Sequence, residues 1–332
     1  MAVRLTRRKI VTLAVAAAIL PVVSVAEAEG WPTRSITWIV PFAAGGPGDA
    51  VARVLAPGLS EVLRQPIVIE NVGGAGGTIA LRRLANSPAD GYVMASGNGG
   101  THTFSQLLDP KPLYDAVTDF APVSLISEGA YVLVTRESFP ANTLQDFIAY
   151  AKANQTHMQF GSAGFGSGTY VACALLNKTI GADITHVPYR STSLAMQDMI
   201  GRRIDYLCDE IITAQSLIKA KSVKALAILG RNRTPLLPNV ATADEQGLSN
   251  FEVPNWNGIF LPKGAPQSIV ERLSEAINKT LDLPLVRKRM SQFGVNVPSP
   301  HHRGPVYLAK FVTDEIPKWT PLLSSMRSKS GP

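Results

Sequence analysis

Two glycine-rich stretches hold the residues best suited to chemistry, and the chemistry they suit is the binding of a small anion. The first, Phe42, Ala43, Ala44, Gly45 and Gly46, follows the alternating apolar run 36–40 and precedes Pro47 and Asp49. Glycine lets a chain turn where other residues are strained, and proline fits the first position of a helix. A strand that passes through such a turn into a helix leaves unpaired N–H groups at the helix start, where the helix dipole also favours negative charge. The second stretch, residues 161–169, repeats the arrangement after the apolar residues 158–160. Here Ser162, Gly164, Gly166, Ser167 and Thr169 add three hydroxyls to the backbone donors. Two such turns in two halves of one chain suggest a cleft that holds an acid from both sides and closes on it.

Other polar residues fall at strand ends or loops near these turns. Asn98, Thr101 and His102 lie in a polar, glycine-rich loop, and His102 is either a ligand contact or a hydrogen-bonded loop residue. Arg190 has the fork geometry to take a second carboxylate bidentately, or is a surface arginine. Asp209, just past a short strand, is better placed than Asp205, because ligands of open α/β sheets gather at strand carboxyl ends. Asp49 beside a bound carboxylate would be repulsive, so its reading is to hold the N–H groups of the first turn, to receive a ligand amine, or to cap the helix.

Several function classes have little support. The net charge is +7. Residues 10–25 form an apolar run behind Arg4, Arg7, Arg8 and Lys9, and Ala26, Glu27 and Ala28 make a small-residue cleavage site. This reads as a signal peptide over residues 1–28, with the mature chain starting near Glu29. Removing its four basic residues and one acid lowers +7 to +4, too mild for a nucleic-acid footprint, and the basic run 287–289 reads as a solvated helix face. The paired arginines also resemble a twin-arginine export signal, a feature shared with ordinary signals. The two cysteines, Cys173 and Cys208, are open to pairing after export or to simple burial. His301 and His302 have no third ligand at zinc spacing, and no metal or cofactor is expected. The cluster 71–77 lacks the Lys-Ser/Thr ending of a phosphate loop, and neither Ser162 nor Ser167 has nucleophile-elbow spacing.

The elements that must position these residues alternate strand and helix. Strands are expected at 36–40, 66–70 and 92–96, with helices at about 49–63 and 78–85, which predicts a parallel sheet. A second lobe begins at the strand 131–135. Thr143 and Asp146 match a capping box for a helix to about residue 153. Strands at 184–188, 204–207 and 224–229 follow, with a helix ending near residue 199. The tail is expected to be helical from Ala265 and Pro266, with an apolar face of Ile269, Leu273 and Ile277 and a stop at Gly294.

Taken together and in order, PFAAGGPGD (41–49), NVGGAGG (71–77), ADGY (89–92), GSAGFGS (161–167) and HVPYR (186–190) resemble the Bug-type extracytoplasmic solute receptors of tripartite tricarboxylate transporters. The resemblance covers essentially all of the mature chain. It implies an α/β fold of the type II periplasmic binding protein class, two α/β domains flanking a ligand cleft. Domain 1 would comprise 29–129 plus 251–332, and domain 2 would be 130–250, inserted. It also implies a small carboxylate ligand held at the loops after the first strand of each domain, partly through ordered water. Carried over by position, the first loop supplies Phe42, Ala43, Ala44, Gly45, Gly46 and Asp49, and the second Ser162, Gly164, Gly166, Ser167 and Thr169. Two departures stand near the expected cleft: Tyr170, where the family usually has histidine, and Ser191, where it usually has glycine. The implied function is delivery of a carboxylate to the membrane permease subunits of a tripartite transporter by a periplasmic monomer. The alternatives are a receptor for a membrane signalling partner and, with less support, a phosphate-handling enzyme.

Overall fold

The computed structural model describes residues 30–329, and the expected signal peptide lies outside the described residues. The first half is a βα succession. Strand β1 (Ile36–Val40) passes through the first glycine turn into helix α1 (Pro47–Leu63), then β2 (Ile67–Asn71), α2 (Thr78–Ala85) and β3 (Val93–Asn98). Pro47 at the helix start and the buried stripe Val51, Val54, Leu55 and Leu59 explain why α1 forms here and which face it buries. Each such side chain removed from water contributes on the order of 1.5–3 kcal/mol. A π-helical turn, Gly100–Phe104, leads from β3 into the short α3 (Ser105–Leu108).

β4 (Phe120–Gly129) and β10 (Asn255–Pro262) complete the first sheet in the order β2-β1-β3-β10-β4. β1 runs parallel to β2 and β3, but β10 runs antiparallel to both β3 and β4. The sheet is therefore mixed, not parallel. Neither β4 nor β10 is foreshadowed by the sequence pattern. β4 contains Pro122, tolerable because β4 is an edge strand with one side free of ladder bonds. β10, NWNGIFLP, is buried along its whole length and so shows no alternation.

The second sheet is built from β5 (Tyr131–Arg136), β6 (Gln159–Ser162), β7 (Thr185–Pro188), β8 (Tyr206–Glu210) and β9 (Val223–Leu229), in the order β7-β6-β8-β5-β9. β6 is parallel to β7 and β8, while β5 is antiparallel to β8 and β9, so this sheet too is mixed. The helices between are α4 (Leu144–Asn154), α5 (Gly168–Ile180), α6 (Thr192–Ile200) and α7 (Ile211–Lys219). α4 starts with the expected capping box, Thr143 Oγ1 accepting from Asp146 N at 3.1 Å and Asp146 Oδ2 from Thr143 N at 3.2 Å. Alternation along the strands gives each face its own core. Leu133, Tyr206 and Cys208 pack with α5 residues Val171, Ala172 and Leu176, and Val132, Val134 and Leu207 pack with Ala195, Met196 and Met199 of α6.

The chain passes from the first sheet to the second between Gly129 and Tyr131 and returns between Leu229 and Asn255. The tail is α8 (Gln267–Asp282), α9 (Pro284–Gln292) and α10 (Pro305–Leu323). The expected helix to Gly294 is two helices, because Pro284 cannot continue the hydrogen-bond ladder and starts a new helix instead. Near the end of α10, Trp319 meets Phe104 edge-on at 4.9 Å and joins the core of the second sheet.

Candidate functional site

Four helix starts converge on one small cavity between the sheets. Its walls are Pro47 and Gly48 from α1, Gly168 and Thr169 from α5, Thr192 from α6 with Ser191 before it, and Glu210 immediately before α7. Phe42, Asn98, Tyr131, Ala163 and Ser167 complete the lining. The first-turn N–H groups of a helix have no partner inside the helix, and each N-terminus carries about half a positive charge. None of the lining residues is a lysine, arginine or histidine, so any attraction for an anion comes from backbone dipoles. The cavity is about 20 Å3, room for roughly one water.

The first loop is held in shape by Asp49. Its Oδ2 accepts from Gly45 N at 2.9 Å and from Arg53 Nε at 2.9 Å, while Asn71 Nδ2 donates to the Phe42 carbonyl at 3.1 Å. Burial by itself would raise the Asp49 pKa, but the hydrogen bonds from Arg53 and Gly45, with the Asn71 amide nearby, outweigh it and hold the carboxyl below its ordinary value. Asp49 is thus an ionised clamp on the loop. It takes up the Gly45 N–H and leaves the helix-start donors of α1 facing the cavity.

The second loop is tied by its own hydroxyls. Ser167 Oγ donates to the Gly164 carbonyl at 2.7 Å and caps α5 by accepting from Tyr170 N at 3.2 Å; Thr169 Oγ1 accepts from Ala163 N at 3.0 Å. Ser162 is turned away from the cavity, its Oγ 2.7 Å from His186 Nε2 and 3.3 Å from the Gly164 carbonyl. Gly164 and Gly166 have φ of +107° and +78°, which fixes them as glycine.

The loops of the two sheets meet along a seam of backbone. Ala43 N donates to the Arg190 carbonyl at 3.1 Å, and Ser193 Oγ donates to the Ala44 carbonyl at 3.3 Å. Side chains are missing where the chains come closest. A Cβ on Gly100 would lie 2.8 Å from Gly168 N and 3.0 Å from Ser167 Cα, and one on Gly164 would lie 2.8 Å from Gly76 N. A Cβ on Gly46 would collide with the Ser191 hydroxyl, and one on Gly76 with the Phe165 carbonyl.

Of the residues singled out from sequence, Phe42, Asn98, Ser167 and Thr169 line the cavity, and Ala43, Ala44, Gly45 and Gly46 form the loop beside it. Asp49, Gly164 and Gly166 shape the two loops, and five residues are placed elsewhere: Ser162, which faces His186, with Thr101, His102, Arg190 and Asp209. His102 is fully buried in the first sheet's core, stacked on Phe260 at 3.8 Å with Phe120 at 5.2 Å, and burial pushes its pKa down to about 3. Its Nδ1 contacts Thr101 Oγ1 at 3.0 Å; Thr101 also exchanges bonds with Asn98, Asn98 N donating to Thr101 Oγ1 at 2.9 Å and Thr101 N to Asn98 Oδ1 at 3.1 Å. The π-helical turn rotates His102 inward, which a polar loop composition does not disclose. Arg190 has an exposed side chain and contributes its carbonyl to the seam. Asp209 lies on the α6/α7 face of β8, fully buried, accepting from Thr213 Oγ1 at 2.6 Å; burial raises its pKa to about 6 against the hydroxyls of Thr213 and Thr192.

Tyr131, Ser191, Thr192 and Glu210 line the cavity without having been singled out as contacts. Strand alternation is the signal that could have found Glu210. Reading β8 to its end puts residues 206, 208 and 210 on one face and 207 and 209 on the other. Of the two family departures, Ser191 lies in the cavity wall against Gly46, whereas Tyr170 packs outside it among Phe165, Phe160 and His186. Cys173 and Cys208 are both fully buried, with sulfurs 2.6 Å apart. Among the described residues there is no cluster of three potential metal ligands, and no helix is long and apolar enough to cross a membrane.

Comparison with known proteins gives a consistent result. Residues 51–327 match the model of the tripartite tricarboxylate transporter family receptor. A UPF0065 protein of Agrobacterium vitis is 38% identical over 86% of this chain and 82% of its own length. Among solved structures, MatC from Rhodopseudomonas palustris with bound malate is 40% identical, with a TM-score of 0.86 over 88% of this chain and all of that one. The periplasmic binding protein BugD is 33% identical, with a TM-score of 0.86 over 89% of this chain and 98% of its own.

Proposed function

This chain belongs to the tripartite tricarboxylate transporter family of receptors, and we propose that it captures a small organic carboxylate in the extracytoplasmic space. The observation that carries the reading is the convergence of the starts of α1, α5, α6 and α7 on one cavity. Donors fixed on rigid helices recognise a carboxylate without a counter-charge, which suits a receptor that must also release it. The malate bound to MatC, an acid of the expected class, supports the same reading. The site residues, on this reading, are Phe42 to Gly46, Gly48, Asn98, Ser167 to Thr169, Ser191, Thr192 and Glu210. Asp49 and Thr101 shape the loops, and domain 1 (29–129 with 251–332) closes on domain 2 (130–250). Residues 1–28 direct export and are removed, and the ligand-bound monomer hands its cargo to membrane permease subunits.

Catalysis is disfavoured by the nearest thing to a nucleophile pair. Ser162 contacts His186, but its hydroxyl is fully buried and bonded within its own loop, away from the cavity. A thermal-shift series with mono-, di- and tricarboxylates is the test. Stabilisation should grow with ligand concentration, by about 2.7 kcal/mol at a hundred times Kd. If no acid raises the melting temperature while a neutral solute does, the carboxylate reading is wrong.

A further inference from the structure

The cavity that collects helix starts for an anion contains one charged side chain, and it is an acid. Glu210 ends β8 and directly precedes α7, yet its side chain does not cap that helix and lines the cavity instead. Its cross-strand partner is Tyr131 on β5, which also lines the cavity and whose hydroxyl is directed at Gly168. Asn255, at the start of β10 in the other sheet, lines a second small cavity together with it. That cavity, on the far side of Glu210, is shared with Glu128, Gly129 and Ala130, where the chain passes between the sheets. The titratable groups around it are therefore Asp209, Glu128 and the Tyr131 phenol. No lysine, arginine or histidine lines either cavity.

An ionised glutamate here would repel the anion that the four helix starts attract. A neutral one would help, because a carboxylic acid has an O–H to donate and a carboxylate has none. We propose that Glu210 meets the ligand carboxylate in its protonated form, as a hydrogen-bond donor, so that each bound acid is captured together with one proton. This rests on the carboxylate-receptor reading and deepens it. Glu210 is half-buried, and the water it loses there favours the neutral form, pushing its pKa up to about 7; Asn255 opposes the shift and the Asp209 charge reinforces it. Protons balance simply. The ligand enters as an anion, Glu210 takes one proton from solvent where it was ionised, and both leave on release. Asp209 is a bystander, held on the other face of β8 by Thr213.

The test is calorimetric titration of the full-length mature protein with succinate and with malate, in two buffers of different ionisation enthalpy, from pH 6.5 to 8.5. Both acids are fully ionised above pH 7, so any proton exchanged there belongs to the protein. Above pH 7.5 the wild type should take up close to one proton per ligand, and its affinity should fall about tenfold per pH unit. Glu210→Gln keeps a donor that cannot ionise. It should take up no proton, show a flat pH profile, and bind about thirtyfold more tightly than wild type at pH 8.5. Asp209→Asn should keep the uptake. Wild-type binding without proton uptake, or a Glu210→Gln protein with the wild-type pH profile, overturns the proposal. So does binding of 2-amino acids that strengthens as pH rises and is lost in Glu210→Gln, since that makes Glu210 an ionised acceptor. If neither acid binds at any pH while a neutral solute does, it is the carboxylate reading that has failed.

Discussion

Gly100→Ala separates closure of the cleft from stability of the fold. Gly100 sits in the π-helical turn after β3 with no positive φ, so alanine is locally acceptable there and favours helical backbone by up to about 1 kcal/mol. Its Cβ, however, would stand 2.8 Å from Gly168 N and 3.0 Å from Ser167 Cα, backbone atoms of the opposite lobe that cannot rotate away. Relieving that overlap means moving one loop by roughly half an ångström against its neighbours, and overpacking of this kind costs about 1–3 kcal/mol. The cavity beside the contact is about 20 Å3, so on the proposed closure of the two lobes a ligand enters while they are apart and the contact forms as they close. The cost then falls on the closed state alone. Affinity for a carboxylate should drop between about 5-fold and 150-fold at 1.4 kcal/mol per decade. The melting temperature without ligand should stay level or rise slightly. Titration calorimetry and an unliganded melt together decide it. Unchanged affinity refutes the closure argument, and a melting temperature lowered in step with affinity shows that the seam belongs to the ligand-free fold.

Gly46→Val, at a φ of −82° that valine tolerates, drives a Cβ into the Ser191 hydroxyl and should weaken carboxylate binding at least about tenfold. Adding Ser191→Ala should restore part of the loss, and a double variant no better than Gly46→Val would show that the clash lies elsewhere. Glu210→Gln should also change the pH dependence of stability. The folded-state pKa is raised from 4.5 to about 7, so the acid's contribution is full below about pH 4.5 and is lost as pH rises through 7. His102 and His186, lowered to about 3 and 4 by burial, slope the other way, their contribution being present above 6.5 and lost as pH falls. The melting temperature of Glu210→Gln minus that of wild type cancels the histidines and should climb by a few degrees from pH 4.5 to 8; a flat difference would contradict the burial of this acid. Finally, because Cys173 and Cys208 are fully buried and burial raises the Cys208 thiol well above its usual pKa, a thiol reagent should leave the native protein unlabelled for hours. Labelling at the rate of a free thiol would place them nearer the surface.

What the sequence discloses and what it hides follow from the range of each physical constraint. The two glycine turns were legible because a strand, a left-handed or open backbone and a proline or hydroxyl at the helix start are local requirements, met within ten residues. The purpose of several of those glycines was not. Gly76 and Gly100 read as turn residues, but the atoms that forbid a side chain there belong to Phe165, Ser167 and Gly168, more than sixty positions away. His102 was drawn to the cleft by its polar neighbours, while the rings that enclose it come from Phe120 and Phe260, in two strands whose prolines and uniform burial concealed them. Glu210 was lost differently, through a strand ended three residues early, and the error flipped attention to the wrong face of β8. Backbone donors explain why the sequence names a class of ligand but no particular acid. An N–H group reads charge and shape at one carboxylate and nothing beyond it. The side chains available to discriminate on the proposed reading, Tyr131, Ser191, Thr192 and Glu210, are brought together by three strand and helix junctions in the second sheet, and only their positions in space reveal that they line the same cavity.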